Sequence, residues 1–99
     1  MIKCRLQIKK KLNLLRIKLD KLDTELLQLI KKRSNLVNDV LKVKIHKNEI
    51  IDQKRINFIL KKIKKKSIQL KIDPKITNRV WKNMIWSFID YEKRNFRKK

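Results

Sequence analysis

Two cations lie on an apolar helical pattern in the first half of the chain. Leucine and valine recur at alternating steps of four and three over residues 15–40, and Arg33 occupies one position of that series. Lys44 follows Val40 by four residues and continues the same series. This spacing places all of these side chains on one face of a helix. Because a buried charge is costly unless it is paired, this face must meet carboxylates of the protein or an anionic ligand.

A carboxylate likewise lies on an apolar helical series in the C-terminal part of the chain. Apolar residues recur there at steps of four and the next step falls on a glutamate: Ile76, Val80, Met84, Phe88 and Glu92. Asp52 and Arg55 lie three residues apart, on one face of a second predicted helix. An internal ion-pair network is one interpretation of these charges, and it would pair Glu92 or Asp52 with the cations. The cations outnumber the carboxylates, which favours a small anionic ligand.

The spacing of the arginines and the lysine limits the size of such a ligand. Arg33 and Lys44 are separated by eleven residues, three helical turns or about 16 Å. Side chains that reach toward each other across this distance leave room for a small ring that carries carboxylates. Arg16 lies about 25 Å before Arg33 along the same helix, so a site that it serves should belong to another subunit.

The hydrophobic periodicity predicts an all-α fold of three helices in a single domain, residues 1–99. The first helix should run from about residue 12 to residue 44, and the polar segment that follows should form a turn. The second should run from about residue 51 to residue 70, with an inward stripe of four apolar residues: Ile56, Ile59, Leu60 and Ile63. The third should begin at Pro74, with Asp73 as its N-cap. Because the first helix is too long for the rest of the chain to cover, we expect an intertwined homodimer.

Composition excludes several classes of protein. The chain has 99 residues, no glycine and a formal charge of +21, and phosphate-cradling loops need glycine. Of the 30 basic residues 23 are lysines, and we interpret most of them as solvated surface, so nucleic-acid binding is not the favoured function. The single cysteine provides neither a disulfide nor a metal cluster. No segment has the apolar length of a membrane span or the pattern of a secretory signal, which predicts a cytoplasmic protein.

Three segments together resemble the all-helical chorismate mutases of the AroQ class. They are "LLRIKLDKLDTELLQLIKKRSNLVNDVLKVK", "IIDQKR" and "IDPKITNRVWKNMIWSFIDYE". The family has an arginine before an Ile/Leu-Asp pair, an arginine at the end of the next apolar block and a lysine eleven residues later. An Asp-x-x-Arg then opens the second helix, and a Gln or Glu lies late in the third. This chain matches these positions with Arg16, Arg33, Lys44, Asp52, Arg55 and Glu92.

The resemblance implies the rearrangement of chorismate to prephenate in phenylalanine and tyrosine biosynthesis. It implies no cofactor, no metal, and a homodimer with shared active sites. Arg33, Arg55 and the partner's Arg16 would bind the substrate carboxylates, and Asp52 would bind the ring hydroxyl. Lys44 and Glu92 would face the ether oxygen. These two residues and Arg33 would be the catalytic residues. Glu92 must be protonated for this role, because an ether oxygen only accepts hydrogen bonds.

Two positions depart from the family pattern and leave an alternative open. Ile56 stands where the family has a glutamate that binds the ring hydroxyl, and Phe88, which would line the substrate site, stands where serine is common. Isochorismate-pyruvate lyases of the same fold resemble this chain at both places. A basic helical nucleic-acid-binding or adaptor protein is a further alternative, favoured by the charge and disfavoured by the cations within the apolar face.

Overall fold

A computed structural model describes residues 2–44 and 46–97, with the side chains of residues 2 and 3 left undescribed. The elements are helix α1 (Ile2–Val43), a short 3₁₀ helix (Lys47–Glu49), helix α2 (Gln53–Gln69) and helix α3 (Pro74–Asn95). There is no strand in these described residues. The predicted all-helical fold with three helices is therefore confirmed.

Helix α1 is longer than predicted, because it begins at residue 2 instead of near residue 12. The N-terminal segment has no proline or glycine and is rich in lysine, which favours helix. The chain divides into two compact units, Met1–Asn35 and Leu36–Lys99. The first unit contains only α1, so its apolar residues have no second element of that unit to pack against. The leucines of the predicted face are accordingly exposed in the single chain: Leu15, Leu19, Leu22, Leu26 and Leu29.

The second unit has a small apolar core. Its buried members come from the end of α1, the following turn, α2 and α3: Leu41, Ile50, Ile56, Ile85 and Ile89. Ile59 and Leu60 are partly buried against this cluster. The predicted inward face of α2 is thus confirmed, and α2 and α3 pack against each other.

The connection from α2 to α3 is fixed by local hydrogen bonds. Asp73 is the N-cap of α3, as predicted, and its Oδ1 accepts a hydrogen bond of 2.9 Å from the backbone N–H of Lys75. The chain reverses at Lys71, which has a φ of 58°. The hydroxyls of Ser67 and Thr77, on α2 and α3, are 2.7 Å apart. The contact between Ser67 and Thr77 holds the end of α2 against the start of α3.

The apolar stripe predicted for α3 is wrong at its N-terminal end. Ile76 and Val80 are exposed in the single chain, whereas Ile85 and Ile89 are buried. A step of four residues advances about 400° around a helix of 3.6 residues per turn, so such a series drifts by about 40° at each step. The series therefore begins on the exposed face, is half-buried at Met84 and Phe88, and is fully buried at Glu92. None of the helices within the described residues is long and apolar enough for a membrane span.

Candidate functional site

The most buried charges of the second unit form an ion pair. Nζ of Lys44 donates a hydrogen bond of 3.2 Å to Oε2 of Glu92. The side chain of Lys44 is 17% exposed and that of Glu92 is 8% exposed. Two further ion pairs, Lys42–Asp39 and Arg94–Asp90, are surface contacts, each within one helix. Lys44–Glu92 thus differs from them in its burial and in joining residues 48 positions apart.

Local structure places both members of this pair at the edge of the apolar core. Lys44 directly follows α1, and its backbone N–H bonds to the carbonyl of Leu41, a core residue, at 3.3 Å. Glu92 lies three residues after Ile89 on α3, one helical turn away on the same face. The core residues therefore bring the lysine and the carboxylate together.

A buried ion pair of this kind is weak evidence for a purely structural role. Removing two charges from water costs several kcal/mol per ion, and their attraction often does no more than offset that cost. A pair of apolar side chains at the same positions would stabilise the core about as well. At the edge of the core the pair presents an ammonium and a carboxyl group side by side.

Asp52 and Arg55 lie at the start of α2. Asp52 is the N-cap, and its Oδ1 accepts a hydrogen bond of 3.0 Å from the backbone N–H of Arg55. The sequence predicted both residues as site residues but not this capping contact. The signal was present, since aspartate is among the preferred N-cap residues and precedes the first helical position here. One carboxylate oxygen of Asp52 is therefore hydrogen-bonded to the backbone.

The guanidinium of Arg55 lies over an aromatic ring. Its Cζ is 5.5 Å from the centroid of Phe58, and Nζ of Lys62 lies 5.9 Å from the same centroid. Within the described residues Arg55 forms no ion pair with a carboxylate. It is a cation whose charge the described part of the chain leaves available. Sequence reasoning did not identify Phe58, although its position three residues after Arg55 is a spacing at which helical side chains meet.

The remaining predicted residues differ in their surroundings. Arg16 and Arg33 belong to the first unit, where Arg16 is exposed and Arg33 is half-buried. In the second unit Phe88 is half-buried on α3, one turn before Glu92. Ile56 is fully part of the apolar core. The structure thus brings Lys44 and Glu92 together, and it surrounds position 56 with apolar side chains.

The groups of the second unit can bind and position an anion without covalent chemistry. Lys44 and Arg55 supply cations, and an arginine can bind a carboxylate through two parallel hydrogen bonds. Asp52 and Glu92 supply carboxyl groups that can accept a hydrogen bond, or donate one when protonated. Among the described residues there is no cluster of three or more histidine, cysteine, aspartate or glutamate side chains that could hold a metal ion.

Comparison with known proteins gives one match. The family model described as chorismate mutase type II matches residues 15–93, a range that includes every site residue predicted from the sequence. No curated protein and no solved structure matches the chain.

Proposed function

Since the chain belongs to the chorismate mutase type II family, we propose that it rearranges chorismate to prephenate at a site centred on Lys44 and Glu92. The observation that carries this proposal is the buried ion pair between these two side chains. Both residues lie within the matched range. The resemblance assigns the same two residues to the ether oxygen of the substrate. The same proposal assigns the enzyme, an isomerase without a cofactor, to phenylalanine and tyrosine biosynthesis in the cytoplasm.

The reaction needs positioning and electrostatic stabilisation. Chorismate is a dianion that rearranges in one pericyclic step, so the enzyme has to hold it in a compact conformation. Negative charge that grows on the breaking ether oxygen is stabilised by preorganised donors. In this proposal Lys44 donates to that oxygen, and Glu92 donates to it when protonated. Arg55 binds a substrate carboxylate, and Asp52 accepts from the ring hydroxyl through the oxygen that does not cap α2.

The two arginines of the first unit are assigned to the proposed binding site because they match the family's sequence pattern. Arg33 of the same chain and the partner's Arg16 would bind substrate carboxylates, in a homodimer whose two sites are shared. The exposed leucines of α1 support an association between copies, because apolar surface of this extent is normally covered. Phe88 would line the site beside Glu92.

Isochorismate-pyruvate lyase activity is the second candidate, and the burial of Ile56 favours it. An aliphatic side chain within the apolar core offers no hydrogen bond to a ring hydroxyl. Supplying chorismate and isochorismate separately distinguishes the two activities by their products. We expect prephenate from chorismate. Formation of salicylate and pyruvate from isochorismate, with no prephenate from chorismate, would identify a lyase. If neither reaction occurs and the protein shifts nucleic acid in a gel at moderate salt, it would instead be a nucleic-acid-binding protein.

The capping contact of Asp52 predicts two separable effects of its removal. Asp52→Ala should lower the free energy of unfolding by about 1 kcal/mol through loss of the N-cap, and it should also raise KM. Asp73→Ala is the matched control, because Asp73 caps α3 in the same way and has no place in the proposed site. It should show a similar loss of stability, measured by urea unfolding, with unchanged kinetics. Equal KM values for the two variants would remove Asp52 from the binding site.

The shared site predicts that two inactive chains can restore each other. A dimer formed from one Arg16→Ala chain and one Arg55→Ala chain contains one site with both arginines, so mixing the variants should recover activity. The recovered rate should approach half of the wild-type rate per heterodimer. Heterodimers isolated by two affinity tags but showing no recovery would contradict the sharing of sites between subunits.

A further inference from the structure

Phe58 is a large apolar residue that the core does not use. Its side chain is 54% exposed on a helix rich in lysine, and it is not among the residues that pack against the core cluster of the second unit. Its described contacts are with two cations, Arg55 and Lys62. The position of this ring therefore needs an explanation other than burial of apolar surface.

The geometry of α2 directs Arg55 onto the ring. The backbone N–H of Arg55 is held by the carboxylate of Asp52, and Phe58 follows three residues later, where side chains of a helix adjoin. The guanidinium carbon is 5.5 Å from the ring centroid, within the distance at which a cation is attracted to an aromatic face. The ring thus restricts the directions that a long and flexible side chain can take.

This contact leaves the hydrogen-bonding capacity of Arg55 intact. An aromatic ring interacts with the charge and the flat face of a guanidinium, whereas a carboxylate binds its N–H edge. A carboxylate partner within the protein would instead compete with an anionic ligand for the same N–H groups. Among the described residues Arg55 has no such partner.

We infer that Phe58 is a positioning residue, which holds the guanidinium of Arg55 ready to bind a carboxylate of the substrate. The inference rests on the proposed function, because it assigns Arg55 to substrate binding. The ring orders the arginine before the ligand arrives, so that less conformational entropy is lost on binding. Its effect should be on substrate affinity and not on the chemical step, which takes place elsewhere on the substrate.

The kinetic test compares variants that keep or remove the aromatic face. Phe58→Leu retains apolar bulk without a ring and should raise KM about two- to fivefold, the range for a cation–π contact at an exposed site, with kcat nearly unchanged. Phe58→Tyr keeps the ring and should restore the wild-type KM. Lys62→Gln, which removes the other cation on the same ring, should leave both constants unchanged. In an Arg55→Ala background Phe58→Leu should have no further effect on KM.

A spectroscopic measurement keeps this inference separate from the proposed function. The Nε–H proton of Arg55 should show a ring-current shift in the wild-type protein that is lost in Phe58→Leu and retained in Phe58→Tyr. If the shift behaves in this way while KM is the same in wild type and Phe58→Leu, Phe58 does not position Arg55 for binding. A wild-type protein that shows the shift but turns over no chorismate would overturn the proposed function, and the assignment of Phe58 with it.

Discussion

Lys44→Ala should lower kcat by about 100-fold or more while KM changes little. A donor aimed at an oxygen that gains charge only in the transition state stabilises that state more than the bound substrate, so its loss appears in turnover. Loss of a single preorganised donor of this type typically costs on the order of 100-fold or more. Steady-state kinetics that follow the disappearance of chorismate provide the measurement.

Stability has to be measured beside activity, because Lys44→Ala leaves Glu92 buried without its partner. Such an unpaired charge can destabilise a protein by about 3–5 kcal/mol. Lys44→Met combined with Glu92→Met removes both charges, and it should fold with near wild-type stability while remaining inactive. Lys42→Ala is the control two residues earlier in the chain, since Lys42 forms only an exposed pair with Asp39, and its kinetics should match the wild type. A change in KM alone for Lys44→Ala would contradict the role given to Lys44.

Glu92 should make activity fall as the pH rises. The ether oxygen only accepts hydrogen bonds, and an ionised carboxylate also only accepts them, so Glu92 contributes as a donor only when it is protonated. In the structure Oε2 of Glu92 accepts a hydrogen bond of 3.2 Å from Nζ of Lys44. Ionisation of this carboxyl group would therefore remove the donor.

The Glu92→Gln variant tests this assignment. The glutamine amide donates at every pH, and its carbonyl oxygen can still accept from Lys44, so the variant should be active with a flat profile of kcat/KM from about pH 5 to 9. Glu92→Met offers no donor and should lose activity throughout that range. A wild-type profile that is flat or rises with pH would remove Glu92 from the donor role, as would an alkaline fall that persists in Glu92→Gln.

Lys44 and Glu92 could both be predicted from the sequence, because each is a charged residue at a position that the apolar pattern marks for burial. Lys44 and Glu92 lie on apolar helical series, and such a conflict requires a partner. The sequence left an internal pair and an anionic ligand as alternatives, and the structure shows an internal pair between Lys44 and Glu92. The two interpretations are compatible, since a pair at the edge of a core can also face a substrate.

Other features depended on information that periodicity does not contain. The rotation of α3 relative to α2 decides which residues are buried, and a series of four-residue steps drifts too far to indicate it for Ile76 and Val80. The cap at Asp52 and the ring contact of Arg55 depend on side-chain directions at one helix end. The covering of the α1 leucines and the role of Arg16 involve association between chains, so they remain predictions. The role of Arg33, which belongs to the first unit, is a prediction from the sequence pattern as well.

A crystal structure of the protein with a stable bicyclic dicarboxylate analogue of the transition state tests the central claim most directly. We expect the ether oxygen of the analogue to lie within hydrogen-bond distance of Nζ of Lys44 and of the carboxyl group of Glu92. We also expect a carboxylate of the analogue to bind the guanidinium of Arg55. An analogue bound at another place on the protein, with the Lys44–Glu92 pair intact and remote from the ligand, would contradict it.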